Sequence, residues 1–463
     1  MFSILAILLT LILLMFFAYR GYSVLILAPI MAILAVFLSG DFINSMPAYT
    51  GVFMGALSGF LMKFFPIFLL GAVFGRLMAD SGAATAIART VVDKLGASKA
   101  ILSVILVCGI LTYGGVSLFV VAFAIYPIAK DLFKVADVPK RLIPAAIALG
   151  SFTFTMTALP GTPAIQNAIP IPYYHTNVFA APILGIIGGL VMFLGGWWFL
   201  QSRANKAQKS GEGFGNHTDD EIQSETLTTH HTSFAVAMIP LVLVIGINAL
   251  LTYAIFPNMD FSSLQAQFPD LSIEGSLGLW SIIISLMVAC LVLVILKIGH
   301  WNNLQKTVNK GTYDAMLPIF NTGSEVGYGA VIASLAGFAI IRDNILALDP
   351  SNPLVSEAVA MTTLAGITGS SSGGLSIALS TLGEDYLRMA VETGVDPELM
   401  HRVAVMAAGG LDTLPHSGAV ITLLAICNLT HKESYLSLAM VTIVIPLCAV
   451  VTVIILGSIF GSF

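Results

Sequence analysis

The stretch ITGSSSGGLSIALS, residues 367–380, places glycines and serines inside a long apolar segment. A second apolar segment, residues 99–130, carries a similar interruption, TYGGVS, at residues 112–117. Backbone that leaves the helical conformation inside a membrane must be buried in protein or line a wet cavity. We therefore predict that residues 99–130 and 355–392 each form two half-helices that fold back as a re-entrant hairpin.

The composition around these stretches is that of a membrane protein. Of the 463 residues, 57% are apolar and 10% are charged, and the mean hydropathy is +0.93. Soluble domains carry about 25% charged residues, so this chain has too few charges to cover a soluble surface. An all-α integral membrane protein is the class that fits. We expect no metal site, because the four cysteines stand singly and not at the spacing of metal ligands. We also expect no nucleic-acid partner and no cofactor.

Apolar runs recur along the whole chain, and about 20 such residues in a helix cross a bilayer. We predict ten full spans, at residues 3–19, 22–40, 63–81, 141–160, 178–200, 233–256, 278–297, 314–340, 398–427 and 434–460. Residues 52–62, just before the third span, are expected to lie along the membrane surface.

Lysine and arginine residues favour one orientation of these spans. Basic residues flank the first hairpin on both sides, at Arg89, Lys94, Lys99, Lys130, Lys134, Lys140 and Arg141. Positive residues favour the cytoplasmic side, so this hairpin is predicted to open toward the cytoplasm. The loops then placed outside, residues 41–51, 163–177 and 257–277, contain no lysine or arginine.

The two halves of the chain resemble each other. FPIF at residues 65–68 matches LPIF at 317–320, and ALPGT at 158–162 matches TLPHS at 413–417. These and other matches keep the same order at a nearly constant offset. Each half has five spans and one hairpin, and because five is odd the second half is predicted to be inverted. Inverted repeats with discontinuous helices that meet at the midplane are typical of secondary transporters.

The repeats define the predicted domains. They are residues 1–200 with a broken span at 141–163, a flexible cytoplasmic linker at 201–232, and residues 233–463 with a broken span at 398–427.

Four breaks point to a ligand: the hairpin tips at 112–117 and 368–374, and the span breaks at 157–163 and 409–418. Each break exposes N–H groups of a half-helix, whose positive dipole end favours an anion. We predict a carboxylate site without a fixed cation, built from short hydroxyls and close-approaching glycines. Glycine and serine also occur at packed helix interfaces, which is the structural alternative for any one stretch. Four breaks paired by the repeat favour the ligand site.

Three ionisable residues lie deep in the predicted spans: Glu325, Asp412 and His416. An intramembrane acid is a functional candidate. Glu325 is predicted to carry a coupling proton, and its repeat partner is Val73, so the scaffold does not require the charge. Asp412 has three open roles: it accepts a proton, helps to bind a cation, or caps a half-helix. His416 is the pH-sensitive partner or a hydrogen-bonded core residue.

An intramembrane serine hydrolase is the remote alternative. Residues 369–373 match G-x-S-x-G, and Asp412 and His416 follow in the order of an α/β-hydrolase triad. A nucleophile elbow needs a strand that runs into a helix, whereas this stretch lies between apolar helical segments.

Three stretches carry a family resemblance: LTYGGVSLFVVAFAIYPIAKDLF at 111–133, ALPGTPAIQN at 158–167 and GGLDTLPHSGAV at 409–420. With them the sequence resembles, over essentially its whole length, the GntP family of gluconate:proton symporters in the ion-transporter superfamily. Within the family it looks closer to the hydroxybutyrate or short monocarboxylate permeases. The resemblance implies bacterial inner-membrane uptake of a small organic acid with protons, by a homodimer with an elevator mechanism. Sodium-coupled symport of a di- or tricarboxylate, or of another organic anion, is the alternative.

By the same resemblance the hairpin tips and span breaks form the substrate site. The predicted substrate-binding residues are Thr112, Tyr113, Gly114, Gly115, Ser117, Thr162, Gln166, Asn167, Ser370, Ser371, Ser372, Gly373, Gly374, Thr413, His416 and Ser417, with Glu325 and Asp412 for proton coupling.

Overall fold

The structure is a computed structural model that describes residues 2–215, 232–269, 271–349 and 351–462. Helices make up 81% of it, and the described residues contain no strand. The all-α prediction is confirmed. The central part of the predicted linker, residues 216–231, lies outside the described residues.

The first half of the chain forms twelve α-helices. They are α1 (Phe2–Tyr19), α2 (Val24–Leu38), α3 (Ser45–Pro47), α4 (Met54–Asp80), α5 (Ala83–Leu95), α6 (Ala100–Tyr113), α7 (Leu118–Val135), α8 (Ile143–Ser151), α9 (Phe154–Thr157), α10 (Ile165–Ala168), α11 (Ile171–Tyr174) and α12 (Pro182–Lys209).

The second half forms eleven α-helices in its described part. They are α13 (Phe234–Leu250), α14 (Ser262–Gln267), α15 (Ile273–Leu296), α16 (Leu304–Ser334), α17 (Ala336–Leu346), α18 (Pro353–Thr368), α19 (Ser371–Thr393), α20 (Pro397–Ala408), α21 (Gly418–Ile426), α22 (His431–Ala439) and α23 (Ile445–Phe460).

Several helices have the length and hydropathy of membrane spans. Among the described residues, five single helices are long and apolar enough to cross a membrane: Phe42–Asp80, Pro182–Lys209, Phe234–Asn258, Ile273–Leu296 and His431–Phe460. Two bent pairs raise the number to seven, with angles of 105° between Ala83–Leu95 and Ala97–Tyr113 and 96° between Leu304–Ser334 and Ala336–Leu346. The count of ten full spans stays a prediction, because α1 and α2 are shorter and two predicted spans are broken into short helices.

Three predicted boundaries differ from the structure. Residues 52–62 do not form a separate surface segment, because Phe42–Asp80 is one continuous helix. The span predicted at 314–340 crosses the bend at Leu335, where α16 ends and α17 begins. The helix expected to end near residue 200 continues to Lys209, since its polar last turns extend the same α12.

The helices α4 and α16 pack along each other and form a central seam. Glycines of α16 allow this close approach. A Cβ atom on Gly311 would lie 2.8 Å from the Cα of Val73, and one on Gly327 would lie 2.9 Å from the Phe53 carbonyl oxygen. The seam leaves no room for a larger side chain at these two positions.

The helix pairs of the two halves correspond. The two arms of each hairpin pack together, as α6 with α7 and α18 with α19. The first arm of each hairpin also packs on the next broken helix, α6 on α8 and α18 on α20. Likewise α4 of the first half packs on α15 of the second half, and its counterpart α16 packs on α2 of the first half.

Candidate functional site

The second hairpin turns at Gly369 and Ser370, which separate α18 from α19. Gly369 adopts the left-handed conformation, with φ of +65°, which glycine tolerates without strain. The Ser370 hydroxyl then accepts a hydrogen bond from the Gly373 N–H at 3.1 Å and caps α19. The serine-rich stretch thus starts a helix in the interior of the molecule.

The second break, residues 409–417, lies against this tip. The Ser417 hydroxyl donates to the Gly369 carbonyl at 2.8 Å. A Cβ atom on Gly369 would lie 3.0 Å from the Cδ2 atom of His416. Tip and break are therefore in direct contact, and the glycine at position 369 is required by both its conformation and its neighbour.

Glu325 faces the N-terminus of α19. It is 4% exposed, and a Cβ atom on Gly373 would lie 1.6 Å from its Oε2 atom. This oxygen has no hydrogen-bond partner among the described residues. The carboxyl group therefore lies at the positive end of a half-helix, and Glu325 forms no salt bridge among the described residues.

Asp412, in the second break, is a second buried acid at the same helix end. Its carboxylate lies close enough to Ser371 to interact with it, while its Oδ1 atom has no hydrogen-bond partner in the described part of the chain. Ser371 also accepts a hydrogen bond from the Gln166 amide at 3.1 Å. One serine thus joins the second tip, the second break and the α10 helix that follows the first break.

The first hairpin tip, residues 114–117, contacts the first break, residues 158–164. The Tyr113 hydroxyl donates to the Pro160 carbonyl at 2.8 Å. Gly115 has φ of +97°, and a Cβ atom on it would lie 2.9 Å from the Cγ atom of Pro163. The two prolines leave no continuous helix between α9 and α10, as the sequence predicts, but α8 already ends at Ser151.

The two breaks also touch each other, since a Cβ atom on Gly409 would lie 2.9 Å from the Cγ2 atom of Thr157. The contacts thus form one chain from the first tip through both breaks to the second tip.

Some predicted residues already use their polar atoms within the protein. Asn167 is fully buried, its amide donates to the carbonyls of Thr162 and Val178, and its oxygen accepts from His401 and Arg402. Thr162 accepts from the Ala164 N–H, and Thr413 donates to Thr442 at 2.7 Å. These side chains, like Ser417, shape the breaks in this conformation.

Other polar atoms remain unpartnered. Buried ones in and beside the tips and breaks, counted within the described residues, are Thr112 Oγ1, Glu325 Oε2, Ser376 Oγ, Asp412 Oδ1 and His416 Nε2. The half-buried Ser372 lies 3.3 Å from Ser370 and 3.5 Å from Thr322 through its hydroxyl. A buried polar atom without a partner costs about 1–3 kcal/mol, so a polar ligand stabilises a site that satisfies it.

Close neighbours explain the glycines at positions 114 and 374. A Cβ atom on Gly374 would lie 2.2 Å from the Ala365 nitrogen, so this glycine lets the hairpin arms close. A Cβ atom on Gly114 would lie 2.3 Å from Leu241, and the Ser117 nitrogen packs 3.3 Å from the Cβ position of Gly75. Gly114 and Gly374 therefore have a packing role in this conformation.

A buried cation, Arg402 on α20, was not among the predicted site residues. It is 0% exposed and donates only to backbone carbonyls and to Asn167. The expectation of a site without a fixed cation therefore missed a guanidinium directly behind the first break. Its signal in the sequence is an arginine inside a predicted span, which is rare without a function.

A buried acid, Glu357 on α18, was also missed. Its carboxylate accepts a hydrogen bond from the Tyr174 hydroxyl of α11, and its Oε2 atom has no partner among the described residues. Glu357, Tyr174 and Tyr386 are at most 1% exposed. This cluster connects the second hairpin with the segment that follows the first break.

Comparison with known proteins identifies the family. The family model of the GntP family permeases matches residues 1–459. The uncharacterized transporter YxjC of Bacillus subtilis is 44% identical over 475 aligned positions, which cover 99% of each chain. The chain belongs to the GntP permease family.

Two further relatives of this GntP permease are similar over a part of it. An uncharacterized transporter of Haemophilus influenzae is 28% identical over 38% of this chain and 40% of its own length. The high-affinity gluconate transporter of Escherichia coli is 28% identical over 39% of each chain. The family resemblance of the sequence is confirmed, and the protein is an integral membrane transporter.

The context of Ser371 does not match a hydrolase. The residues on both sides of the G-x-S-x-G stretch are helices α18 and α19, so the strand of a nucleophile elbow is missing there. The Ser371 hydroxyl also accepts a hydrogen bond from Gln166, whereas a triad places a histidine against the serine.

Proposed function

We propose that this GntP permease is a secondary active transporter that takes up a small organic acid anion by proton symport. A gluconate-like sugar acid and a hydroxybutyrate-like monocarboxylate are the substrate candidates. The observation that carries the proposal is the Glu325 carboxyl group, which lies against Gly373 at the N-terminus of α19 and forms no salt bridge among the described residues. Family membership supports transport in general, and this contact supports the coupling to protons.

Coupling follows from competition for one helix end. The N–H groups of α19 attract a negative charge, and both the substrate carboxylate and Glu325 carry one. Two like charges in the same buried place repel each other, so the protonated form of the side chain is favoured when the anion binds. Proton and anion then bind with positive cooperativity, as symport requires.

Asp412 and the hydroxyl groups complete the proposed site. Asp412 lies beside Ser371, and Ser371 accepts a hydrogen bond from Gln166 on α10, so Asp412 is linked through Ser371 to the segment that follows the first break. Ser372, Thr112 and His416 are candidates for the substrate's remaining polar groups, because they have unpartnered or weakly bonded atoms. We propose Glu325 as the main proton carrier and Asp412 as the second.

We propose two inverted repeats as the architecture, at residues 1–200 and 233–463 around the linker 201–232. The corresponding helix pairs and the matched prolines Pro66 and Pro318, each inside a long helix, support this arrangement. We further propose re-entrant hairpins, a homodimer in the bacterial inner membrane, and an elevator motion that carries the tips and breaks across it.

The test uses purified protein in proteoliposomes with imposed gradients. We expect labelled D-gluconate or 3-hydroxybutyrate to accumulate when the outside is acidic, and a sodium gradient alone to have no effect. Accumulation that needs sodium and ignores the pH gradient contradicts proton coupling. If no organic acid in a panel of sugar acids, monocarboxylates and dicarboxylates is taken up, the substrate class is wrong.

Glu325→Gln tests the coupling residue, because glutamine has the shape of the protonated acid and binds no proton. We expect gradient-driven accumulation to fall at least about tenfold, since the cooperativity between proton and anion is lost. Exchange of substrate across the membrane should persist. Glu392→Gln is the matched control, because Glu392 is 65% exposed at the end of α19. Full proton-driven accumulation by Glu325→Gln removes the role assigned to Glu325.

A further inference from the structure

Arg402 on α20 is the largest fully buried side chain among the described residues. Its position in the second half corresponds to Pro144 in the first half, at the offset that relates Pro397 to Pro139. The packing of the fold therefore does not require a cation at this place. A buried charge is costly, so its presence calls for a reason beyond packing.

All donor groups of Arg402 are used by neutral acceptors. Its Nε and Nη2 atoms donate to the Ala180 carbonyl at 3.1 and 2.8 Å, and Nη2 also reaches the Val178 carbonyl at 3.4 Å. Its Nη1 atom donates to the Thr157 carbonyl at 3.3 Å and to the Asn167 oxygen at 3.2 Å. The guanidinium thus fixes both ends of the first break while no carboxylate accepts from it.

The charge of Arg402 is not neutralised by a direct ion pair. Glu398 lies one turn earlier on α20 and within electrostatic reach of Arg402, but its carboxylate accepts from the Ala181 N–H at 3.1 Å and forms no salt bridge with Arg402 in the described part of the chain. His401, the adjacent residue, bonds Thr176 and Asn167 through its two ring nitrogens. A guanidinium without a paired anion keeps its attraction for a negative charge that enters nearby.

The proposed substrate site lies near Arg402. Asn167 accepts a hydrogen bond from Arg402. The residue before it, Gln166, donates a hydrogen bond to Ser371 at the second tip. Tyr113, at the end of the first hairpin arm, is also within the electrostatic reach of Arg402. The guanidinium thus lies one hydrogen-bonded layer behind the side chains that line the site.

We propose that Arg402 is a positioning and specificity-determining residue, which holds the first break and makes the site select anions over uncharged analogues. This inference rests on the proposed uptake of an organic acid. Arg402 acts through the field of its charge, because it is fully buried and all its donors are occupied. A unit charge about 10 Å away in a medium of intermediate dielectric changes an anion's affinity by roughly tenfold or more.

The test compares an acid with its uncharged analogue. D-gluconate and D-gluconamide compete for uptake in proteoliposomes, and the ratio of their inhibition constants measures charge selection. We expect Arg402→Gln to lower this ratio at least about tenfold, with the affinity for gluconamide nearly unchanged. We expect Arg402→Lys to keep the ratio within about threefold only in acidic buffer, because burial lowers the pKa of a lysine and its amine must be protonated to act as a charge. Arg342→Gln is the control, because Arg342 is 41% exposed and the same charge is removed at the surface.

The outcomes separate this inference from the proposed function. If the wild-type protein binds neither probe nor any acid of the panel, the proposed function fails. If the wild type selects gluconate and a folded Arg402→Gln selects it equally well, Arg402 has only a structural role and the inference is wrong. If Arg402→Gln does not fold, Arg402→Lys decides: selection that is lost in acidic buffer as well overturns the inference, and selection that is present in acidic buffer and falls as the pH rises supports it.

Discussion

At the scale of single residues, Gly373 and Glu325 form the contact on which the proposed coupling depends. The two residues come from different helices, α19 and α16, and the glycine has no side chain to separate its helix end from the acid. A larger residue at position 373 would have to displace the carboxyl group, because its Cβ would overlap the Oε2 atom.

We therefore expect Gly373→Ala to abolish proton-driven uptake or to reduce it at least about tenfold, since it disturbs both the helix N-terminus and the acid. Alanine is a better helix former than glycine, so helix propensity itself does not explain a loss. Uptake in proteoliposomes and the melting temperature in detergent are the measurements. Gly246→Ala in α13 is the control, because nothing lies within 4 Å of its Cβ position. Normal uptake by Gly373→Ala argues against the contact.

At the scale of elements, the buried cluster around Glu357 connects α11 with the second hairpin. Its hydrogen bond from Tyr174 is one of few polar contacts between the segment after the first break and α18. Tyr386 on α19 lies close enough to interact electrostatically with Glu357. The hairpin arms and α11 are thus tied by polar groups in an otherwise apolar environment.

Tyr174→Phe removes the hydroxyl and leaves the Glu357 carboxyl group without this hydrogen bond. We expect a loss of about 1–3 kcal/mol in stability, the cost of an unsatisfied buried polar group. A lower melting temperature or a lower urea midpoint in detergent measures it. Tyr313→Phe serves as the control, because Tyr313 is 75% exposed. Equal stability of the two variants contradicts the structural role of the cluster.

The elements also show what local chemistry predicts. Glycine, proline and capping serine determine the backbone within a few residues, and so the tips at Gly115 and Gly369 and the break at Pro160 were predictable. The continuous helix Phe42–Asp80 was not, because the third span was expected to start at residue 63 and residues 52–62 were expected to lie along the membrane surface. The contacts of Glu325 and the burial of Arg402 depend on residues far away in the sequence, which a local pattern does not encode.

At the scale of the whole molecule, the distribution of charge predicts the orientation of the chain in the membrane. Basic residues flank the first hairpin and occupy the last turns of α12, whereas the loop that contains α14 has none. Positive residues stay on the cytoplasmic side, so the end of α12 should be inside and α14 outside.

Two single cysteines test this orientation in a Cys448→Ser background, because the other three cysteines are buried. We expect a membrane-impermeant maleimide to label Ser262→Cys in intact cells, and to label Ser210→Cys only after the membrane is permeabilised. Both serines are exposed, so access to the reagent depends on the side of the membrane. The reversed pattern would show that the protein has the opposite orientation.

The glycine seam between α4 and α16 has a consequence for measurement. Glu325 belongs to α16, which the seam holds against α4, while Gly373 belongs to a hairpin whose tip contacts both breaks. If the hairpin moves relative to the seam, the two residues must separate, since α16 cannot follow without sliding past α4. The distance between two spectroscopic labels, one on each of these helices, would then change during the transport cycle. It should be shortest in the conformation described by this structure.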